Sequence, residues 1–312
     1  MSLLPTPGYD EVHRLEVGGT VVFVALHAVL QGRSFGGVRI KGYADEEAAL
    51  ADAKALARAM SRKVVMAGIA GGGGKTVVIE RPGWSRTEAI EALGDFVESL
   101  GGRYFCGPDY GFTQYDTTVM KQRTKYIACA DLAPATARTV LIAMRAVREP
   151  RVVAVQGLGA VGLPVASMLR EAGVRVIASD VRRVKGFDLI PPEAIYDAEC
   201  DVFAPCAMGG VLTEATVPRL RCKLICGAAN NPFASDDDAR RCPVDYVPDF
   251  ISNSGATIQG ASTVIGETAR IEERLAAVGP LAREIVARAR SEKRSAHEIA
   301  VEMADRRIAE MR

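Results

Sequence analysis

The sequence has few of the residues that would indicate a metal site, a disulfide scaffold or a membrane segment. It contains three histidines and seven cysteines, and none of the cysteines forms a Cys-x-x-Cys pair, so a structural zinc site is not expected. A net charge of +1 provides no electrostatic argument for binding nucleic acid or an anionic membrane. No apolar run approaches a membrane span, and the first residues do not resemble a secretory signal. We therefore expect a cytoplasmic protein with reduced thiols and no metal.

Length and hydrophobic patterning predict a two-domain α/β protein. A chain of 312 residues can bury a substantial core and is long for a single domain. After an N-terminal region rich in strand-like runs, helical patterns alternate with short apolar runs, as in α/β folds. The pattern predicts a helix from Asp45 to Met60, a strand from Thr76 to Ile79 and a helix from about Ser85 to Leu100.

The stretch from Ser61 to Thr76 has the most distinctive composition. It contains Lys63 and Lys75, twelve residues apart, with four consecutive glycines directly before the second lysine. Glycines permit either a sharp turn or the close approach of another group, and a lysine held between them and a strand can direct its charge into a cleft. A flexible loop with a solvated lysine is the simpler alternative. A phosphate-binding P-loop is excluded, because Ile69 occupies a required glycine position and the order is helix, loop, strand.

A dinucleotide-binding fingerprint lies near the middle of the chain. The apolar strand Arg151–Gln156 leads into Gly157-Leu-Gly159-Ala-Val-Gly162, and an amphipathic helix follows. In this context the first glycine permits a tight turn, the second lets a pyrophosphate approach, and the third lets the helix pack on the strand. Asp180, 23 residues after the first glycine, would accept hydrogen bonds from the adenosine ribose. NAD is therefore the expected cofactor, and NADP stays open because Arg182-Arg183 follows directly.

Polar residues follow several predicted strands. Asp109 comes after a short strand, within Gly-Pro-Asp-Tyr-Gly, and ligand clefts of open α/β sheets form at the carboxyl ends of strands. The same sequence is also favourable turn chemistry, so an exposed turn aspartate is the alternative. Asn230, Asn231 and Asn253 follow later strand ends on the side expected to face the cofactor, although loop asparagines and a helix cap would have the same positions.

Together these motifs resemble the amino-acid dehydrogenases of the glutamate/leucine/phenylalanine/valine dehydrogenase family, nearest the leucine and phenylalanine branch. The resemblance covers roughly Ala25 to Glu267. Two lysines at this spacing, joined to an aspartate and a dinucleotide fingerprint, form a highly specific combination. The segments that carry the resemblance are Gly36-Gly37-Val38-Arg39, Lys63 with Gly73-Gly74-Lys75-Thr76, Gly107-Pro108-Asp109, Gly157-Leu-Gly-Ala-Val-Gly162, Glu199 to Ala207, Ala229-Asn230-Asn231 and Pro248 to Gly255.

The resemblance implies a particular division of the chain. Residues 1–132 would form an α/β domain for catalysis and dimerisation, and residues 133–284 a Rossmann-type NAD-binding domain. Residues from about 285 to 312 would pack back on the first domain. A substrate cleft between the domains and a homodimer through the N-terminal domain are expected.

The resemblance also implies an activity, the reversible NAD-dependent oxidative deamination of an L-amino acid to a 2-oxo acid and ammonia. Lys63 matches the lysine that binds the substrate carboxylate, assisted by Asn253 and the backbone near Gly37. Lys75 matches the catalytic lysine, whose pKa a second ammonium and burial would lower, and Asp109 matches the acid that moves protons to and from the substrate nitrogen. The residues that match positions near the nicotinamide and its ribose are Thr136, Ala207 and Asn230.

The implied side-chain pocket favours an apolar substrate. Phe35 stands where the glutamate enzymes carry a lysine, and Thr257 and Gly260 match two valines of the leucine-type enzymes. Because Gly260 frees volume and Phe35 adds an aromatic wall, phenylalanine or tryptophan is favoured over leucine or valine, which stay open.

Three segments are shorter than in the family: residues 110–135, residues 181–199 and the C-terminal tail. The second shortening predicts that one crossover helix of the cofactor domain is missing or vestigial. These differences leave two alternatives, a non-catalytic homologue that senses NAD or an amino acid, and an imine-reducing biosynthetic enzyme on the same fold. The intact set of Lys63, Lys75 and Asp109 favours the active dehydrogenase.

Overall fold

The computed structural model describes residues 1–128 and 131–312, which form two compact units. The first unit comprises Met1–Ala130, Gly260–Thr268 and Ala304–Arg312, and the second comprises Asp131–Gln259 and Ala269–Met303. Each unit has its own sheet with accompanying helices. The predicted α/β class with two domains is thereby confirmed.

The first unit is built around a seven-stranded mixed sheet with the strand order β1-β2-β3-β6-β4-β7, in which β5 also pairs with β6. Strand β6 runs antiparallel to β3 and parallel to β4 and β5, so it joins the antiparallel and parallel parts of the sheet. The elements are β1 (Ser2–Leu3), β2 (Glu11–Val17), β3 (Thr20–Leu26), β4 (Ser34–Phe35), β5 (Val38–Lys41), α1 (Glu46–Met66), β6 (Gly72–Ile79), α2 (Arg86–Ser99), β7 (Tyr104–Phe105) and α3 (Gln114–Lys121).

Helix α1 is longer than the sequence predicted. Its start is capped by the Asp45 side chain, which accepts a hydrogen bond from the Ala48 backbone, and Ala49, Ala53 and Ala57 are buried against the sheet. The predicted end at Met60 is wrong, since the helix continues to Met66. The added turn buries apolar side chains at 64–66, and this packing stabilises the extension. The helix ends just before Gly68, whose φ of +70° suits only glycine well.

The glycine run before Lys75 belongs to a strand, because Gly72–Gly74 begin β6. A Cβ on Gly72 would lie 2.0 Å from the Ala28 carbonyl oxygen, and a Cβ on Gly73 would lie 2.0 Å from the Ser61 backbone nitrogen. The glycines therefore serve close approach, the second of the two roles that the sequence left open. Helix α1 and strand β6 meet backbone to backbone at this point.

The second unit contains a five-stranded, all-parallel sheet with the strand order β12-β11-β10-β8-β9. The crossover from β9 to β10 contains only a 3₁₀ helix, Pro192–Asp197, so the predicted loss of a crossover helix is confirmed. The elements are α4 (Ala133–Val147), β8 (Val152–Gln156), α5 (Gly162–Glu171), β9 (Arg175–Ser179), β10 (Val202–Pro205), β11 (Leu224–Ile225), α6 (Asp236–Arg241), β12 (Asp245–Tyr246), α7 (Asp249–Ser252), α8 (Gly255–Val264), α9 (Ile271–Glu292) and α10 (Ala296–Met311). Helix α8 continues from the second unit into the first, and so does α10.

Three short helices, α3, α6 and α7, were not predicted. Helix α3 begins with a capping box in which Thr113 and Asp116 satisfy each other's backbone N–H groups. Asp116 is fully buried and also accepts two hydrogen bonds from the Arg86 guanidinium, at 2.8 and 2.7 Å. The sequence of α3 favours a helix only weakly, because threonines at 117–118 have a low helix propensity. The hydrogen bonds from Arg86 on α2 stabilise this helix.

The described residues include six cysteines, all free thiols; Cys129 lies outside the described ranges. Within those ranges no group of three His, Cys, Asp or Glu side chains is placed to hold a metal ion. None of the helices formed by the described residues has the length and apolar character needed to cross a bilayer.

We expect Gly73→Ala to lower the free energy of unfolding by more than about 3 kcal/mol, because the new methyl would collide with the backbone of α1. Denaturant unfolding followed by circular dichroism measures the change. Gly42→Ala is the matched control, since the nearest atom to its Cβ position is 4.0 Å away. If both variants were equally stable, the close contact between α1 and β6 would be refuted.

We expect Asp116→Asn to destabilise the protein by about 2–3 kcal/mol at pH 7, because charge-assisted hydrogen bonds are lost. Burial alone would raise the pKa of Asp116, but hydrogen bonds from Arg86 and Thr113 outweigh burial and lower it. The carboxylate therefore stabilises the fold above its ordinary pKa of 3.8, and the difference between wild type and variant should shrink as the pH falls below that value. Asp95→Asn is the control: this aspartate is exposed on α2, so its replacement should change the free energy of unfolding little. If the destabilisation by Asp116→Asn persisted in acid, this account would be contradicted.

Candidate active site

Lys75 lies in the interior of the first unit's sheet. It belongs to β6, where its Cα pairs with that of Ala25 on β3, and only 6% of its surface is exposed. Its Nζ donates a hydrogen bond to Asp109 Oδ2 at 2.7 Å. The flexible-loop alternative for this lysine is therefore wrong.

Asp109 is held in place by the strand that lies beside Lys75. It follows β7 in the loop, and its backbone N–H donates to the Val38 carbonyl at 3.2 Å. Its Oδ2 accepts a second hydrogen bond, from Arg39 Nε at 3.1 Å. A carboxylate fixed by two cations and a backbone contact is not a solvated turn residue, so that alternative is also wrong.

Gly37 provides the space in which these two side chains meet. A Cβ at this position would lie 3.2 Å from Lys75 Nζ and 3.2 Å from Asp109 Cβ. Its carbonyl oxygen accepts a hydrogen bond from the Thr76 backbone at 3.0 Å, which fixes the loop between β4 and β5 against β6. A larger residue here would crowd the lysine–aspartate pair.

The electrostatic environment shifts both ionisable groups. Burial is the largest influence on Lys75 and lowers the pKa of its ammonium below the ordinary 10.5; Asp109 opposes this shift and Arg39 adds to it. Burial alone would raise the pKa of Asp109, but the positive charges of Lys75 and Arg39 outweigh it and lower that pKa. The site therefore combines a stable carboxylate with a lysine that releases its proton more easily than usual.

The other lysine of the motif, Lys63, lies half-buried in the last turn of α1. Ser61, two residues earlier, accepts a hydrogen bond at its Oγ from the Gly73 backbone at 2.9 Å. The end of α1 and the start of β6 are thus joined directly. The first unit carries both predicted lysines on two elements that touch.

The predicted substrate-pocket residues have different surroundings. Phe35 is buried and stacks on Phe105, with ring centroids 5.3 Å apart, and a Cβ on Gly71 would lie 2.5 Å from its ring. Thr257 and Gly260 lie on α8, three residues apart, so they share a helix face. Thr257 is half-buried and Gly260 is buried.

The glycine fingerprint of the second unit has the geometry that a dinucleotide needs. Gly157 has a φ of +89° and lies directly against Ala207, and a Cβ on Gly162 would lie 1.9 Å from the Gly157 carbonyl oxygen. Apart from Gly159 and its chain neighbours, no heavy atom of the described residues lies within 4 Å of the Cβ position of Gly159, so the approach to that backbone is open. The loop leads into α5, whose N-terminal N–H groups favour an anion. These residues fit a bound pyrophosphate.

Asp180 is bonded to the same loop. Its Oδ2 accepts a hydrogen bond from the Leu158 backbone at 2.8 Å, and Arg182 donates to its Oδ1 from the backbone at 2.8 Å and from Nε at 3.2 Å. The hydrogen bond from the Arg182 side chain is the largest effect, and with the two backbone N–H groups it lowers the pKa of Asp180 to about 2, although burial alone would raise that pKa. The carboxylate is therefore ionised, and its charge is partly balanced by Arg182.

Asn253 and Asn230 are brought together in the second unit. The Asn253 Nδ2 donates to Asn230 Oδ1 at 2.8 Å and to the Ala228 carbonyl at 3.1 Å. Its Oδ1 is buried and accepts no hydrogen bond from the described residues. In this orientation Asn253 presents an acceptor, so a hydrogen bond to a substrate carboxylate requires its amide to turn over. Thr136 is buried in α4 and donates its hydroxyl to the Leu132 carbonyl at 3.1 Å.

Sequence reasoning missed the residues behind Asp109. Arg39 contacts Asp52 as well as Asp109, and Asp52 accepts a hydrogen bond from the Tyr43 hydroxyl at 2.6 Å. The sequence signal was the arginine that ends the Gly-Gly-Val-Arg segment. Its partners lie 13 and 70 positions away, and sequence spacing does not reveal such contacts.

Comparisons with known proteins agree with the motifs. Residues 15–129 match the Glu/Leu/Phe/Val dehydrogenase dimerisation domain, and residues 178–311 match the Glutamate/Leucine/Phenylalanine/Valine dehydrogenase family. The chain is 34% identical over 277 residues to a leucine dehydrogenase of Thermoactinomyces intermedius, covering 80% of this chain and 76% of that one. It is 36% identical over 269 residues to an L-tryptophan dehydrogenase of Nostoc punctiforme, covering 78% and 76%.

A solved structure extends the similarity to nearly the whole chain. The crystal structure of L-tryptophan dehydrogenase from Nostoc punctiforme aligns with a TM-score of 0.86 and 31% identity, covering 97% of each chain. The family predicted from the motifs is confirmed. The chain belongs to the glutamate/leucine/phenylalanine/valine dehydrogenase family, nearest its leucine and phenylalanine branch.

Proposed function

We propose that this protein is an amino-acid dehydrogenase that catalyses the reversible oxidative deamination of an apolar L-amino acid to the 2-oxo acid and ammonia. Family membership supports the reaction class, and relatives named as leucine and tryptophan dehydrogenases support the apolar substrate. The observation that carries the proposal is the buried contact of Lys75 Nζ with Asp109 Oδ2, at 2.7 Å.

Lys75 and Asp109 have the protonation properties that the reaction needs. A neutral Lys75 takes a proton from the attacking water, and a protonated Lys75 stabilises the oxygen of the carbinolamine. The lowered pKa of Lys75 brings its neutral state closer to working pH. Asp109 moves protons to and from the substrate nitrogen, and its contact with Lys75 lets a proton pass between the two groups.

Lys63 supplies a charge for the substrate α-carboxylate, and the backbone near Gly37 assists it. Asn253 stays a prediction as a further substrate contact, and its unpaired Oδ1 suits an N–H donor better than a carboxylate. Phe35, Thr257 and Gly260 are the proposed determinants of the side-chain pocket. The aromatic stack of Phe35 and the small volume of Gly260 favour an aromatic substrate over leucine or valine.

NAD is the proposed cofactor, and when bound it accepts the hydride from the substrate Cα. The open backbone at Gly159 and the tight packing of Gly157 and Gly162 fit its pyrophosphate. Asp180 would accept hydrogen bonds from the adenosine ribose. Thr136, Ala207 and Asn230 stay predictions near the nicotinamide and its ribose. NADP is the less favoured alternative, because Arg182 reduces the repulsion that Asp180 exerts on a 2′-phosphate.

The proposal includes a homodimer formed through the first unit, where the match to a dimerisation domain lies. The functional division at residues 132 and 133, with a C-terminal segment returning to the catalytic domain, stays a prediction. A cytoplasmic location also stays a prediction, and the free thiols of the six described cysteines are compatible with a reducing compartment.

We expect turnover with apolar or aromatic L-amino acids, greatest with phenylalanine or tryptophan, and a loss of more than about 10³-fold in kcat for Lys75→Ala. Formation of NADH and NADPH is measured in parallel over a panel that includes leucine, valine and glutamate. Cofactor binding, measured by calorimetry, should be nearly unchanged in the variant, because the fingerprint lies in the second unit.

Lys121→Ala, an exposed lysine on α3, is the matched control and should keep wild-type turnover. Retained turnover in Lys75→Ala would overturn the catalytic assignment. Turnover on no amino acid, with NAD still bound, would favour the sensor alternative. Turnover with another amine and a 2-oxo acid, but not with ammonia, would favour the imine-reducing enzyme.

We expect kcat/KM for oxidative deamination to rise with pH along a limb centred below the ordinary lysine value of 10.5. The reason is that the reaction needs neutral Lys75, and burial lowers its pKa. Reductive amination needs the protonated form and should fall over the same range. A pH–rate profile in each direction measures both limbs, and a limb at the ordinary lysine value would refute the role of burial.

A further inference from the structure

Arg39 is a charged partner of the Lys75–Asp109 pair that the proposed mechanism does not use. Its Nε donates to Asp109 Oδ2 at 3.1 Å, the same oxygen that accepts the hydrogen bond from Lys75 Nζ at 2.7 Å. Arg39 lies on β5, where its Cα pairs with Val77 on β6, two residues after Lys75. The arginine and the lysine therefore reach one carboxylate oxygen from neighbouring strands.

Arg39 is itself anchored to helix α1. One of its terminal nitrogens contacts both carboxylate oxygens of Asp52, at 3.3 and 3.5 Å. Asp52 also accepts a hydrogen bond from the Tyr43 hydroxyl at 2.6 Å, and Lys41 Nζ lies 3.8 Å from it. Burial is the largest influence on Tyr43, and together with the bond to Asp52 it raises the tyrosine pKa, so the hydroxyl stays a donor. The guanidinium is bound at both ends and its orientation is determined.

We propose that Arg39, oriented by Asp52, is a positioning residue that holds Asp109 beside Lys75 and in reach of the substrate nitrogen. This inference rests on the proposed dehydrogenase function. Arg39 is always charged, so Asp109 keeps a cationic partner even when Lys75 becomes neutral. Asp109 then remains in place through the half of the reaction in which Lys75 has given up its charge.

Two nearby charges act on Lys75 in opposite directions. The positive charge of Arg39 lowers the pKa of Lys75, and the negative charge of Asp52 raises it. Other charged or titratable groups near the Lys75–Asp109 pair and Asp52, among the described residues, are Lys41, Tyr43, Tyr104 and Cys106, and Lys63 lies in the last turn of α1. Loss of Arg39 and loss of Asp52 should therefore shift the ionisation of Lys75 oppositely.

Arg39→Gln is the first variant. We expect kcat for oxidative deamination to fall about 10-fold with a smaller change in KM. The rise of kcat/KM with pH, described above, should move to higher pH. Asp52→Asn should also lower kcat, because Arg39 loses its anchor, but its limb should move to lower pH. A purely structural role would lower activity in both variants without opposite pH shifts.

Arg39→Lys separates charge from geometry. A lysine restores the positive charge, so the limb should return towards the wild-type position. It cannot contact Asp109 and Asp52 through two separate nitrogens as the guanidinium does, so the loss in kcat should persist. Full recovery of kcat in Arg39→Lys would overturn the positioning role.

Arg81→Gln is the matched control. Arg81 also joins the end of a strand to an acid of α1, contacting Glu46 at 3.2 Å, but it does not touch Asp109. We expect wild-type kcat and an unchanged limb. A shift as large as that of Arg39→Gln would show that any lost bridge to α1 has the same effect, and would overturn the proposal.

A titration without substrate keeps this inference distinct from the proposed function. Lys75 is followed by NMR in protein labelled with ¹³C at lysine Cε, and its signal is assigned by its absence in Lys75→Ala. Its pKa should rise in Arg39→Gln and fall in Asp52→Asn, whether or not any amino acid is turned over. Unchanged titration in both variants would refute the coupling, even in an enzyme that proved to be an active dehydrogenase.

Discussion

The burial of one lysine ammonium is the constraint on which the first unit depends. An isolated charge in a protein interior is costly unless it is paired and hydrogen-bonded, and Lys75 is 6% exposed in the middle of a strand. Asp109 meets that requirement with a direct contact, and Arg39 and Asp52 extend it into a chain of alternating charge. The same burial that makes the pair costly gives the lysine its lowered pKa, which is the property that the proposed proton transfer requires.

Glycine packing makes this arrangement possible. Backbone contact between Gly73 and Ser61 brings β6 against α1, and Gly37 leaves room for the lysine–aspartate pair. The glycines before Lys75 are therefore positioning elements inside a regular strand. A lysine on a rigid strand, between two elements that cannot separate without losing backbone contacts, is held more accurately than a lysine on a loop.

The second unit combines a parallel sheet with one shortened connection. Five parallel strands remain, and the connection from β9 to β10 is reduced to a 3₁₀ turn. Asp180 is the first residue of this shortened connection, and it still accepts the hydrogen bond from the Leu158 backbone in the fingerprint loop, at 2.8 Å. The shortening therefore leaves the geometry of Gly157, Gly159 and Gly162 intact, and it does not favour the non-catalytic alternative.

The sequence by itself determined the α/β class, the family, the two lysines with Asp109, and the dinucleotide fingerprint, because these depend on local periodicity and on residue types at set spacings. Tertiary structure alone decided that α1 extends to Met66, since the buried side chains of its last turn find their partners elsewhere in the fold. It also decided that the glycines lie in a strand, because close backbone approach and a turn have the same sequence signature. The contacts of Arg39 with Asp109 and Asp52 join residues far apart in the chain, and only folding brings those charges within hydrogen-bond distance.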